Sequence, residues 1–284
     1  MDAIDVERVR GELQALLDAC RAQVDRLDPG EVRWKLTDDG RREPVSELDV
    51  RLEDTLRGGL RRAFPRAEVF GEESEHERAA IGAGLCFVID PIDGTKELLA
   101  GRSGFATSVA VLSGGVPRLG VVDFPARDQR FVCLPGNGVE LNGWPLRGHA
   151  AARADRERRL VRLAVSPVQA RAEVLERLAR AWPDLELVPV GAVANKLALL
   201  CLGDVDAAVF LPISGGVVAL WDYLGFAVGL PALGLGFRDL ATDRDLAAML
   251  PTYWRNGWVA GTAEGRARLR AALAASGISA GRPC

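Results

Sequence analysis

The sequence predicts an α/β chain built from two unlike halves, on three observations. Residues 105–134 hold three runs of β-forming residues separated by Gly114-Gly115 and Pro125-Ala126-Arg127-Asp128 turn signals, the pattern of an antiparallel meander. From residue 160 onward, apolar runs of strand length alternate with stretches of helical period, the pattern of an α/β layer structure. Between these regions, residues 147–159 change character: Arg147, Arg153, Arg156, Arg158 and Arg159 are interspersed with Ala, Asp155 and Glu157, as in a solvated linker. The expected division is residues 1–150, a metal-binding α+β half with the antiparallel sheet, and residues 151–284, an α/β half. A chain of 284 residues is long enough for one large or two smaller domains.

The elements follow in order. Ile4, Val9, Leu13, Leu16, Leu17, Cys20, Val24 and Leu27 recur at three-to-four spacing and predict an amphipathic helix over 4–27, ended by Asp28-Pro29-Gly30. Residues 31–45 are polar, with Lys35 and an Asp38-Asp39-Gly40 turn, and read either as a ligand-facing loop or as a plain surface hairpin. A second helix opens at Ser46-Glu47-Leu48-Asp49, with Leu48, Leu52, Leu56, Leu60 and Phe64 on one face, and closes at Pro65. Val69-Phe70 is a short strand, residues 75–84 are a linker, and a buried strand ends at Ile89. A short helix over 95–100 is capped by Gly101, and Gly136-Asn137-Gly138 and Asn142-Gly143 turn the chain after the meander. The second half is predicted as strand 160–165, helix 168–182, strand 185–190, helix 192–202, strand 205–210, helix 220–230, strand 233–237, strand 258–260 and helix 263–275.

Composition narrows the function classes. Hydrophobic residues make up 48% and charged residues 26%, an ordinary globular balance, and the net charge of −3 gives no electrostatic reason to bind nucleic acid or an anionic membrane. Five Cys, widely spaced and without a C-x-x-C pair, read as buried free thiols of a reducing compartment, and the acidic N-terminus lacks a signal-peptide core; a cytoplasmic protein is expected. Residues 217–237 are apolar enough to suggest a membrane span, but Asp222 and Pro231 within them favour a buried helix followed by a strand. Only His76 and His149 are present, both in polar surroundings, which argues against a His-based triad or a His-rich metal site.

The stretch with chemistry is Phe87-Val88-Ile89-Asp90-Pro91-Ile92-Asp93-Gly94-Thr95. Asp90 and Pro91 suit the first two positions of a tight turn that would bring Asp90 and Asp93 together. Two carboxylates that close need positive charge between them, and a hard divalent cation with few protein ligands, Mg²⁺, meets that need. Gly94 would let the backbone approach a ligand, and Thr95 opens the next helix, where free N–H groups attract phosphate. Gly71-Glu72-Glu73-Ser74 precedes the Asp90 strand, so neighbouring strand ends would bring Glu72 to the same cation. Asp49 has two readings, helix capping and chemistry.

These pieces together resemble the inositol monophosphatase superfamily of Mg²⁺-dependent phosphomonoesterases. The likeness runs from residue 45 to 262 through Gly71-Glu72-Glu73-Ser74, Asp90-Pro91-Ile92-Asp93-Gly94-Thr95, the Gly136–Gly143 hairpin, Gly191-Ala192-Val193-Ala194-Asn195-Lys196, Gly203-Asp204-Val205-Asp206-Ala207 and Trp221-Asp222. It implies a layered α/β/α/β/α sandwich with the site between its halves, a homodimer, and two or three Mg²⁺ ions. It implies metal binding by Glu72, Asp90, Asp93, Asp222 and the carbonyl of Ile92, phosphate binding by Gly94 and Thr95, and orientation of the attacking water by Thr95 with Asp49 or Glu72. Asp93, Gly191, Ala192, Lys196 and Asp222 would line the substrate. Three departures lie where the leaving group is recognised: the bulky Tyr223-Leu224-Gly225-Phe226, Ala192 where a serine is frequent, and no Gly-Gly with a downstream Asp around 231–245.

Gly94-Thr95-Lys96-Glu97-Leu98 followed by Gly101-Arg102 looks most like the 3′(2′),5′-bisphosphate nucleotidase branch. Lys196 would suit a second phosphate there, and equally it reads as an exposed helix lysine. The expected partner is a small-molecule phosphate ester. Inositol or another sugar phosphate is the alternative substrate, and a non-catalytic anion sensor is the reading from a different class.

Overall fold

The computed structural model describes residues 5–25, 31–36, 42–74, 84–148, 161–167, 172–211 and 217–278. Helix α1 (Val6–Val24) starts at Asp5, whose carboxylate accepts the Arg8 N–H, and buries Val9, Leu13, Leu17 and Cys20. Strands β1 (Val32–Leu36) and β2 (Arg42–Ser46) pair antiparallel, so of the two readings of residues 31–45 the hairpin is formed. Helix α2 (Glu47–Ala63) begins with the capping box expected at Ser46, closed by Asp49. Strands β3 (Glu68–Gly71) and β4 (Leu85–Asp93), the short helix α3 (Thr95–Leu99), and strands β5 (Ala106–Ser113), β6 (Val116–Phe124), β7 (Gln129–Leu134), β8 (Gly138–Leu141) and β9 (Trp144–Pro145) complete the first half.

These strands form a seven-stranded sheet in simple order from β3 to β9. Only the β3–β4 pair is parallel; the meander is antiparallel throughout. Side chains alternate across it. Phe87 and Ile89 face one core with Val109 and Val111, while Cys86 and Val88 face another with Ala110 and Leu112. Both faces are covered, which explains the unbroken apolar runs.

The second half contains β10 (Val161–Val165), α4 (Ala172–Ala181), β11 (Leu185–Pro189), α5 (Val193–Cys201), β12 (Ala207–Phe210), β13 (Val218–Ala219), α6 (Leu220–Ala227), β14 (Gly236–Asp239), α7 (Leu246–Met249), β15 (Tyr253–Trp254), β16 (Trp258–Gly261) and α8 (Ala263–Ala275). Its five-stranded sheet has the order β11-β10-β12-β16-β14, with the first three strands parallel and the last two antiparallel to their neighbours.

Three cores stack the elements into five layers. α1 and α2 pack on the outer face of the seven-stranded sheet. α5 and α6 lie between the sheets, joining Val88, Ala110 and Phe131 on one side to Ala208, Phe237 and Trp258 on the other. α4 and α8 cover the outer face of the five-stranded sheet through Leu178, Leu269 and Leu273. This is the α/β/α/β/α sandwich that the motif resemblance implies.

Several boundaries differ from expectation. The helix predicted over 220–230 stops at Ala227, and a 3₁₀ turn with Pro231 near its start replaces its last turn. The strand predicted over 233–237 runs from Gly236 to Asp239. The pairs and single turns at β13, α7 and β15 are too short to carry a period. The Asp28-Pro29-Gly30 stop, the Asp38-Asp39-Gly40 turn, most of the 75–84 linker and the boundary near residue 150 fall outside the described residues. No described helix is long and apolar enough to cross a membrane.

Candidate active site

The site grows out of the end of β4. Asp90 pairs with Ser108 of β5 but Asp93 pairs with Ala106, so β4 carries one residue more than its partner and bulges. The tight turn suggested by Asp90-Pro91 is therefore not formed; the chain stays extended to Asp93. Pro91 has no N–H to give to the ladder, so a bulge accommodates it, and its carbonyl accepts the Thr107 hydroxyl at 2.9 Å. Gly94 ends the strand with φ of +93°, a region that favours glycine, and its carbonyl accepts the N–H of Glu97 and Leu98 to start α3. A Cβ on Gly94 would lie 2.9 Å from the Ala192 Cβ. The loop before α5 thus sits directly on the Gly94-Thr95 turn.

Asp90 is 1% exposed, and among the described residues neither carboxylate oxygen has a hydrogen-bond partner. Burial, followed by the charges of Glu72, Asp93 and Asp222, pushes its carboxyl well above the usual range. An orphaned buried carboxylate is expensive unless positive charge meets it. Asp93 is also buried but partnered: Oδ2 accepts the Ala194 N–H at 2.5 Å and Oδ1 the Val193 N–H at 3.3 Å. The first N–H groups of α5 thus hold Asp93. Burial raises the Asp93 carboxyl to about 6 against those bonds. Asp222, in the first turn of α6, accepts the Ala219 N–H at 2.8 Å. Its carboxyl is likewise driven up by burial and by Asp93 and Glu72.

Asp49 closes the helix cap and also meets Thr95. Oδ2 accepts the Ser46 N–H at 2.8 Å, closing the helix cap, while Oδ1 accepts the Thr95 hydroxyl at 3.0 Å. The Thr95 hydroxyl also lies 3.3 Å from the Ile92 carbonyl. Burial holds the Asp49 carboxyl above its ordinary value despite the bonds from Ser46.

Glu72 ends the β3 side of the site and is bridged at 2.5 Å by Lys35, which also reaches Glu73 at 3.0 Å. Burial lowers the Lys35 ammonium's affinity for its proton, and the two carboxylates more than reverse it. Lys196 is 2% exposed and donates to the Ala192 carbonyl at 3.2 Å, so it is not a surface lysine. Burial draws it down to about 8, opposed by Asp93, Glu97 and Asp222. Ala192 has φ of +59°, an uncommon value for a residue with a side chain, and Gly191 lies against Glu97.

Sequence reasoning missed a polar shelf beside Lys196. Glu97 receives two bonds from Arg102, at 2.7 and 2.8 Å, and Arg127 donates to the buried Asn195 at 2.8 Å while its guanidinium lies over the Phe124 ring. The only sequence signal for Arg127 was its place in the β6–β7 turn. It also missed Glu53, buried on α2 one turn beyond Asp49.

Among the described residues, no three His, Cys, Asp or Glu side chains close into a cage by themselves. Glu72 leans to Lys35, Asp93 to α5 and Asp222 to its own helix start. Even so, the donors are all hard oxygens, and the bare oxygens of Asp90 stand within the field of Glu72, Asp93 and Asp222. That chemistry fits a hard divalent cation.

A five-layer sandwich with buried carboxylates around a Gly-Thr turn at its central interface, together with the family match, makes the chain a phosphoric monoester hydrolase. The chain belongs to the inositol monophosphatase family, whose sequence profile matches residues 1–275. It is 28% identical over 220 residues to the histidinol-phosphatase of Chlorobaculum parvum, covering 73% of this chain and 83% of that one. Its fold is shared with the inositol monophosphatase of Thermotoga maritima at a TM-score of 0.74 and 18% identity, covering 96% and 100% of the two chains. It is shared also with the inositol monophosphatase II of Staphylococcus aureus bound to 2′-AMP, at a TM-score of 0.72 and 19% identity over 92% of each chain.

Proposed function

We propose that this phosphatase is Mg²⁺-dependent and hydrolyses a 3′(2′),5′-bisphosphonucleotide to the nucleoside monophosphate and inorganic phosphate. Glu72, Asp90, Asp93, Asp222 and the Ile92 carbonyl would hold the metal, two or three ions in all. Bound there, Mg²⁺ would neutralise the phosphoryl oxygens and make a water acidic enough to attack near neutral pH. Gly94 presents its backbone to the phosphate. Thr95, donating to Asp49, accepts a hydrogen bond from the attacking water, and Asp49 takes the proton; its raised affinity suits a base. Water adds its oxygen to phosphorus, the ester oxygen departs, and that oxygen regains a proton as the alcohol.

The observation that carries the substrate choice is Lys196: a buried cation at the first turn of α5, beside Ala192 and within the field of Asp93 and Asp222. A second phosphate needs such a cation, and the nearby Arg127 adds to it. The test is Lys196→Ala with two substrate classes. A loss of about tenfold or more in kcat/KM on the bisphosphonucleotide, carried by KM, with little change on inositol or sugar monophosphates, supports the reading. Equal effects on all substrates, or no bisphosphonucleotide hydrolysis by the wild type, overturn it.

A second reading is favoured by the Chlorobaculum parvum relative, named a histidinol-phosphatase. Tyr223 and Leu224, expected where the leaving group is recognised, are instead buried in the core between the sheets and do not bear on this choice. The same substrate panel separates the two. A homodimer is part of the proposal and is checked by light scattering.

A further inference from the structure

Glu53 lies four residues after Asp49, on the same face of α2, and is 2% exposed. Its Oε2 accepts the Glu73 N–H at 2.8 Å. Its carboxyl group lies so close over Gly71 that a Cβ there would stand 2.5 Å from the carboxyl carbon. Glu72 is thus bracketed: its own N–H bonds the Ile89 carbonyl of β4 at 3.2 Å, and the next N–H along the chain bonds Glu53. On the other side of the turn, Lys35 of the β1–β2 hairpin bonds the Glu72 side chain and also reaches Glu73.

We propose that Glu53 is a positioning residue: its carboxylate, by holding the Glu73 N–H, sets the turn that aims Glu72 at Asp90. One end of α2 therefore positions two parts of the site, Thr95 through Asp49 and Glu72 through Glu53. The competing explanation is a plain ion pair with Arg57, whose guanidinium is 3.4 Å from Oε1 on the next turn of the helix. That pair needs the charge of Glu53. The positioning role needs only an oxygen acceptor. The inference rests on the proposed metal role of Glu72.

Mg²⁺ affinity, measured by titration calorimetry, distinguishes the two. Glu53→Ala should weaken Mg²⁺ binding about 10–100-fold, the range for partners that orient metal ligands, while KM at saturating Mg²⁺ stays near wild type. Glu53→Gln keeps an oxygen for the Glu73 N–H and should bind Mg²⁺ almost as wild type does. Gly71→Ala, which displaces the Glu53 carboxylate without changing it, should copy Glu53→Ala; should Glu53→Ala fail to fold, this pair of variants decides. Unchanged affinity in Glu53→Ala or in Gly71→Ala overturns the proposal, as does a Glu53→Gln as impaired as Glu53→Ala. Glu72→Gln is the control. If it binds Mg²⁺ as wild type does, the metal reading itself fails and takes this inference with it; if it loses Mg²⁺ and Glu53→Ala does not, only the positioning role fails.

Discussion

Asp93 meets opposing demands: two backbone N–H groups favour its anion, and burial among other carboxylates favours its protonated form. The balance lifts its carboxyl from 3.8 to about 6. A carboxyl raised in the folded state stabilises fully below its unfolded value, and that contribution is lost as pH rises through about 6. Asp93→Asn keeps one acceptor for α5 and removes the charge. In chelator, its Tm should equal or exceed that of the wild type at pH 7, and the difference should shrink toward pH 4. With Mg²⁺, turnover should fall by about 10²-fold or more, because the proposed metal site loses a charge. Thermal melts across pH and initial rates check both. A variant that melts well below wild type at pH 7 yet turns over normally per folded molecule would make Asp93 a structural residue.

At the scale of elements, one close approach sets where Asp222 stands. Helix α6 lies on β5 and β6 so tightly that a Cβ on Gly120 would be 1.9 Å from the Gly225 carbonyl oxygen. The bulky residues of Tyr223-Leu224-Gly225-Phe226 are buried between the sheets, and Gly225 alone in that run meets β5 and β6 with backbone. Gly120→Ala forces helix and strand apart. Stability should drop by about 1–3 kcal/mol, as overpacked cores do, and Mg²⁺ affinity should fall with it because α6 carries Asp222. Denaturant unfolding and calorimetry read the two effects. A destabilised variant with unchanged Mg²⁺ affinity would separate α6 placement from metal binding. The β4 bulge works in the same way: one extra residue turns an ordinary ladder into a strand end from which Asp90 and Asp93 both reach the site.

For the whole molecule, the site joins the seven-stranded sheet to the middle helix layer. Glu72, Asp90 and Asp93 come from the seven-stranded side and Asp222 from a helix of the middle layer. A cation shared among them stabilises only the assembled sandwich. Free Mg²⁺ at a hundred times its Kd should add about 2.7 kcal/mol to unfolding stability, read as a Tm that rises with Mg²⁺ concentration. Asp90→Asn and Asp222→Asn should each suppress that rise although they lie 132 residues apart in the chain. A Tm insensitive to Mg²⁺, or full activity in excess chelator, would refute the metal mechanism.

Local sequence alone determined the elements and the family. The period of α1, the capping box of α2, the meander and the alternation after residue 160 are all contacts between near neighbours, so they are readable from spacing. The Asp90–Thr95 string is local too. Tertiary structure decided what each side chain does. Lys196 read equally as exposed or as a ligand, and only the packing of α5 between two sheets buries it. Asp49 read as a cap or as chemistry; it closes the cap, and the approach of Thr95 across 46 residues gives it a second partner. The tight turn at Asp90-Pro91 failed because the two-residue signal for a turn is outweighed by pairing with β5, which absorbs the proline in a bulge. The roles of Arg127 and Glu53 were not readable because their partners, Asn195 and Glu73, are 68 and 20 residues away. The motifs point to the candidate groups; long-range packing, which no window of sequence contains, sets their distances and charges.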